Sequence, residues 1–158
     1  MAKKKIEWSK ILLLILLILG IYLLISAQLE EYKLQSDPKL DELKKIVTPL
    51  FAPDKKYSGL LETLNNDDLL SKISLYKGNK SYTINKEKIF LCLKDENDKY
   101  YDTNFLVYVF LHELTHTFCP EIGHTKLFED MFEELLDEAV KEGVYDPSKP
   151  LISDYCEY

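Results

Sequence analysis

Arginine is missing from this chain of 158 residues; all 20 of its basic side chains are lysines. The formal net charge is −7, unevenly placed. Residues 1–10 carry four lysines and one glutamate, while residues 28–158 carry the other 16 lysines against 26 acids. An acidic domain without arginine lacks the basic footprint that phosphate recognition needs, which argues against nucleic acid as a direct partner. Internal repeats and low-complexity tracts are also missing, so a solenoid or a linker-rich chain is excluded. Cysteine is scarce and odd in number, at three. Cys92 and Cys156 can pair in an oxidising compartment, leaving Cys119 over, but the count decides nothing by itself. Histidine is scarcer in effect, because all three lie between positions 112 and 124.

The length suits one domain with appendages. A basic tail, residues 1–10, holds Lys3, Lys4 and Lys5. Ile11–Leu29 follows, a run of 19 residues without a charge and mostly Leu and Ile. That length spans a hydrocarbon core, so the expectation is a transmembrane signal-anchor. The lysines favour a cytoplasmic N-terminus, with the rest of the chain across the membrane. The alternative is a cleaved signal peptide and a secreted product. Ala27 would precede the cut, and Ile25 at the minus-three position is a poor match to small-residue sites.

Residues 30–52 read as a helical stalk. Leu40, Leu43, Ile46, Val47 and Leu50 recur at helical spacing, Pro38 suits a first turn and Pro49 frays the end. Residues 53–158 are the expected catalytic domain. Leu60–Leu70 suits a short helix interrupted near Asn65–Asp68. The period then shifts towards two. Strands are expected at Lys72–Lys77, Ser81–Ile84 and Lys88–Leu93, with a turn at Gly78-Asn79. The third is apolar enough to be covered on both faces. Asp102, Thr103 or Asn104 can cap the next helix. Phe128, Met131, Phe132, Leu135, Leu136 and Val140 mark one face of a further helix that Gly143 closes. The expected class is α+β: a short antiparallel or mixed sheet, an active-site helix and a backing helix behind an N-terminal transmembrane helix.

The chemistry concentrates in His112-Glu113-Leu114-Thr115-His116, an H-E-x-x-H pattern. On a helix, residues four apart share a face, so both imidazoles can reach one zinc ion. Asn104–Leu111 before it is apolar nearly all round, as in a buried helix, which makes a rigid platform for ligands. Glu113 sits slightly around the helix, placed to act as a general base on water without ligating the metal. A catalytic zinc takes three protein ligands and an open position. His124, beyond the helix-breaking Cys119-Pro120-Glu121-Ile122-Gly123, can supply the third. Glu133 and Asp137 on the following helix are alternative carboxylate ligands or simply its solvated face. Cys119 is an alternative thiolate ligand or a buried thiol. The metzincin pattern is excluded, since position 122 is Ile rather than His. Asn79-Lys80-Ser81 is a glycosylation sequon or only a turn.

His-Glu-Leu-Thr-His followed by Gly-His-Thr-Lys-Leu-Phe resembles the WLM and SprT-like zinc metallopeptidases. The resemblance covers roughly Ser71–Val144, and it is similar to WLM-type peptidases encoded by large DNA viruses. It implies a zincin-like fold, His112, His116 and His124 as zinc ligands and Glu113 as catalytic acid/base. Phe128 matches the aromatic after the third ligand, a packing residue. The linker from His116 to His124 is longer than is usual in WLM members and shorter than in many SprT relatives. The DNA-repair role of some relatives is not carried over, because the membrane segment and the missing basic patch do not suit it.

The expected function is a membrane-anchored zinc metalloendopeptidase acting on protein or peptide substrates, with Lys88–Leu93 as the strand that an extended peptide joins. The alternative is a non-catalytic zinc-binding membrane or envelope interaction protein, for which Cys119 as a fourth ligand would speak.

Overall fold

The computed structural model describes residues 8–35, 37–66, 68–153 and 155–156. Most of the basic tail, with Lys3–Lys5, lies outside the described residues, as does Tyr158. The chain forms two compact units, residues 1–34 and 35–158.

The first unit is one helix, α1 (Trp8–Gln35). Leucine and isoleucine fill its middle, and these side chains are exposed rather than packed. Of this helix, Trp8–Leu34 is long and apolar enough to cross a membrane, and a signal sequence has the same character.

The second unit begins with α2 (Pro38–Val47), which Asp37 caps by accepting from the Lys39 N–H. A 3-10 turn follows at Thr48–Phe51. Leu40, Leu43, Val47 and Leu50 are buried in the main core. Residues 38–51 are therefore core and not stalk: the helical spacing was legible, but its apolar face packs on the domain itself. The compact unit starts near residue 35 instead of 53. A second 3-10 segment (Gly59–Asn66) and the single-turn α3 (Leu69–Lys72) occupy the expected interrupted helix.

Three strands follow: β1 (Ser74–Lys77), β2 (Tyr82–Ile84) and β3 (Lys88–Leu91). Their order is β1-β3-β2, with β3 parallel to β1 and antiparallel to β2. The mixed sheet was among the expected forms. The tight hairpin lies between β2 and β3, where Asn85 and Lys86 both take positive φ, at 52° and 59°. Two successive left-handed residues make a tight turn, closed by the Glu87 N–H donating to Ile84 O at 3.1 Å, within the three-residue connection that the Ile84–Lys88 pairing leaves. Gly78-Asn79 instead begins a connection that passes the end of β3, where the Gly78 N–H donates to Leu91 O. A Cβ on Gly78 would stand 2.8 Å from Lys80 O and 3.2 Å from the Phe90 Cβ, so the crossing requires glycine.

This order overturns one expectation. β3 is bonded on both sides, so its backbone cannot receive a substrate strand; β1 and β2 are the edges, and β2 is the one that packs on α4 beside Glu113. One face of β3 buries Ile89 and Leu91, and on the other Phe90 stacks between Tyr76 and Tyr82, with centroids at 4.8 and 4.7 Å.

Helix α4 (Thr103–Phe118) packs against α2, β2 and β3, and against α5 (Lys126–Lys141). Phe105, Leu106, Val107, Val109, Phe110, Leu111 and Leu114 are all buried, as its unbroken apolar run foretold. Asp102 is the cap, accepting from Asn104 N and Phe105 N. Asn104 also exchanges two hydrogen bonds with the Asp146 backbone, at 3.0 and 2.7 Å, which ties the segment after α5 to the start of α4. Gly143, at φ 68°, ends α5 as expected. Cys92 and Cys156 form a disulfide, and Cys119 is a buried free thiol.

Candidate metal centre

His112 and His116 stand one turn apart near the C-terminal end of α4, their rings 5.1 Å apart. The chain leaves the helix at Cys119, passes through Gly123 at φ 84° and returns with His124. Thr125 then caps α5 by accepting from the Phe128 N–H. This return brings His124 Nε2 to 2.9 Å from His112 Nε2 and 3.2 Å from His116 Nε2. Nitrogens held by one tetrahedral zinc at about 2.0–2.1 Å stand roughly 3.3 Å apart. The two spacings to His124 lie close to that figure, and the three ligand atoms all lie within 4.8 Å of one another. A ring nitrogen carries at most one proton, so hydrogen bonding alone cannot satisfy this triangle as well as one cation facing three lone pairs does. The three histidines can therefore hold a metal ion.

Phe128 holds the triad from beneath. It is buried, stacks on His116 at 4.2 Å and lies edge-on to His112 and His124, each at 5.0 Å. An aromatic wedge against all three rings limits their rotation, so the packing role expected of Phe128 has a direct geometric form. Burial first, then His116 and His124, pushes the His112 imidazole down to about 4. Burial and His124 lower His116 as well. Both rings are thus neutral near pH 7, the form that ligates metal.

Glu113 is only 5% exposed. Burial pushes its carboxyl up to about 7, against a smaller opposing pull from Thr83. The Thr83 hydroxyl lies 2.8 Å from Oε2 and 3.0 Å from the Glu113 carbonyl oxygen, donating to one at a time. Thr83 faces inward on β2, between the exposed Tyr82 and Ile84. Sequence reasoning missed it. Its signal was the alternation of β2, which puts one polar side chain on the covered face. The β2–β3 hairpin is tied down at its tip, where Lys86 Nζ donates to Cys119 O at 2.6 Å.

Two clefts, of about 790 and 580 Å³, meet at Ser81, His112 and Glu113. Together they form a groove across the site, floored by α4 and bordered by β2. The other candidate ligands are not brought in. Glu133 and Asp137 are exposed on α5, and neither they nor Cys119 join the histidine cluster among the described residues. The Tyr155 hydroxyl, which lines the larger cleft, donates to Cys92 O at 2.6 Å. Asn79 is exposed in the β1–β2 connection, so the sequon is accessible.

No family model matches the chain. Over 129 residues it is 45% identical to protein 136R of Invertebrate iridescent virus 6, a match covering 77% of this chain and 72% of that protein. This chain belongs to the 136R family. Protein 042R of Invertebrate iridescent virus 3 resembles it at 44% identity over 99 residues, 62% of each chain. Protein R325 of Acanthamoeba polyphaga mimivirus is 35% identical over 97 residues, 57% of this chain and 48% of that protein. The kinship with viral proteins expected from the sequence holds. The 136R, 042R and R325 proteins are uncharacterised, so membership of the 136R family brings no activity with it. Among solved structures, Wss1 from Saccharomyces cerevisiae is similar with a TM-score of 0.42 and 19% identity, over 70% of this chain and 88% of that one. A score of that size decides nothing about activity, and the WLM and SprT-like resemblance stands on the motif residues.

Proposed function

We propose that the chain is a membrane-anchored zinc metallopeptidase with a zincin-like domain. The observation that carries this reading is the convergence of three Nε2 atoms beside a buried carboxylate, where two clefts meet. His112, His116 and His124 would hold the zinc. Three imidazole nitrogens suit it, and among the described residues no fourth protein ligand closes the cluster. Zinc held there would supply a Lewis acid that polarises the scissile carbonyl and acidifies water.

Glu113 is the general base and then the general acid. It takes a proton from water as the oxygen bonds to the carbonyl carbon, and delivers one to the leaving nitrogen as the C–N bond breaks. A carboxyl raised to about 7 is matched to both tasks near neutral pH. Thr83 is a positioning residue that holds Oε2. The edge of β2, running beside Glu113, takes the role first given to β3: an extended peptide adds to it as a strand. The non-catalytic alternative wants a closed, four-ligand site, and the position of Cys119 outside the cluster gives it no support.

Helix α1 is the anchor, with the N-terminus in the cytoplasm and the catalytic domain across the membrane. The Cys92–Cys156 disulfide and the accessible Asn79 sequon both suit a non-reducing compartment. Substrates are then proteins on that side. The test is metal content and turnover of the purified full chain. The reading predicts one zinc per chain, with hydrolysis of a denatured protein lost on chelation and restored by zinc. A chain that binds zinc stoichiometrically and cleaves nothing across a panel of denatured proteins contradicts it.

A further inference from the structure

Three aromatic rings cross the sheet in one row, one from each strand. Tyr76 of β1 and Tyr82 of β2 both pair with Phe90 of β3. The rings stack nearly parallel, at 16° and 12°, with centroids 4.8 and 4.7 Å apart. Neighbouring strands lie about 4.7–4.9 Å apart, so the row of rings advances in step with the backbone. Its inner end is closed, since Tyr76 is 3% exposed. Phe90 is half-buried, and Tyr82 on the edge strand is 43% exposed. Exposure thus rises along the row towards the strand that borders the site. Among the described residues, Phe90 is the one ring that stacks on Tyr82. Tyr82 lines the smaller cleft together with Thr83 and Glu113. Side chains alternate along a strand, so Tyr82 faces outward next to the Thr83 that holds Glu113 at 2.8 Å.

We infer that the peptide segment added to β2 is chosen for an aromatic side chain opposite Tyr82, and that Tyr82 is a specificity-determining residue. A strand laid on this edge sits one strand spacing further out, so a flat ring opposite Tyr82 becomes the fourth in the row. An aliphatic side chain covers the same ring without the stacking that aromatic pairs gain. The next residue of the segment, opposite Thr83, turns towards Glu113, so the aromatic is a direct neighbour of the residue presented to the carboxylate. The occupant is a peptide rather than a second copy of this chain. β2 is three residues long, too short for two copies to bury the area of a stable interface by pairing there, whereas a peptide needs only those residues and the groove beside them. The inference rests on the peptidase reading, in which an extended peptide takes this edge; the row of rings stands without it.

The test separates binding from cleavage. The full chain carrying Glu113→Gln is held in detergent micelles with zinc. Fluorescent Ser/Thr peptides with a single Phe, Tyr, Leu or Ala at their centre are titrated by anisotropy. Phe and Tyr peptides should bind roughly tenfold more tightly than Ala and about threefold more tightly than Leu. Adding Tyr82→Thr, which suits a strand and removes the ring, should shrink both ratios to about twofold or less. Tyr82→Phe keeps the ring and should keep both ratios. A variant that merely misfolds loses all peptides together and leaves no ratio to shift, and Tyr82→Phe then carries the test. Equal binding of Phe and Leu peptides, binding of none, or unchanged ratios in Tyr82→Thr overturns the inference. So does a dimer in sedimentation that Tyr82→Thr turns into monomer, because a second copy then holds the edge. Cleavage by the wild type without aromatic preference refutes the role of Tyr82 and leaves the peptidase reading. Aromatic preference lost in Tyr82→Thr, with no cleavage of any peptide by the wild type, keeps the role of Tyr82 in binding and refutes the peptidase reading instead.

Discussion

Cys156→Ser should destabilise the second unit by an amount that follows from chain topology. The Cys92–Cys156 bond joins residues 64 apart. Closing a loop of that length removes unfolded-state entropy worth about 4 kcal/mol in the chain-entropy model. For a unit of this size, that corresponds to a fall in Tm on the order of 15 °C. The tyrosine network limits further loss, because Tyr155 can still donate to Cys92 O when the sulfurs part. The assay is thermal unfolding of wild type and variant in non-reducing buffer, repeated with a thiol-free reductant. Wild type under reductant should fall to the level of the variant, and the variant should not respond. A wild-type Tm that ignores the reductant, or a variant shift of only about 3 °C, would refute the loop-entropy reasoning. The same result bears on compartment, since a domain that needs this bond is weakened in a reducing cytoplasm.

Other expectations can be checked on the same protein. His124→Ala should cost roughly 100-fold or more in zinc affinity, measured by competition with a chromogenic chelator, since only two ligand nitrogens remain. Thr83→Val should lower kcat roughly tenfold, because it frees the Glu113 carboxylate while keeping the shape of a side chain that lines the groove. The metal-free protein should show a pH signature of Glu113. Its carboxyl is raised in the folded state from 4.5 to about 7, so its stabilising contribution is fully present below pH 4.5 and lost as pH rises through 7. Glu113→Gln lacks this step, so the Tm difference between the two proteins in chelator should change between pH 4.5 and 7.5 in favour of the variant. A difference that stays flat over that range would mean the carboxyl is not raised.

The parts of this fold legible in the sequence are those where local pattern and burial coincide. Helix α4 read correctly because Asn104–Leu111 is apolar all round and Asp102 caps it. Helix α5 read correctly because Phe128, Met131, Phe132 and Leu135 share one buried face and Gly143 closes it. The triad was legible because three histidines within thirteen positions leave few other arrangements. Strand order was not, because nothing in β1, β2 or β3 alone says that β3 lies between the others. The edge that borders the site was therefore misplaced. The apolar stripe of residues 38–51 was seen, but periodicity does not name its partner, and that partner is the domain's own core. Thr83 stayed hidden for the same reason: its bond to Glu113 spans 30 residues of chain.

Under the peptidase proposal, Glu113 moves protons at a zinc site built by His112, His116 and His124. The most direct test is Glu113→Gln, compared with wild type for bound zinc, for Tm and for hydrolysis of a denatured protein, all in one preparation. The amide keeps the shape of the side chain and cannot accept a proton from water. Both proteins should hold one zinc per chain, and the variant should stay folded while losing turnover by about 100-fold or more. Equal turnover in the two proteins would contradict the proposal.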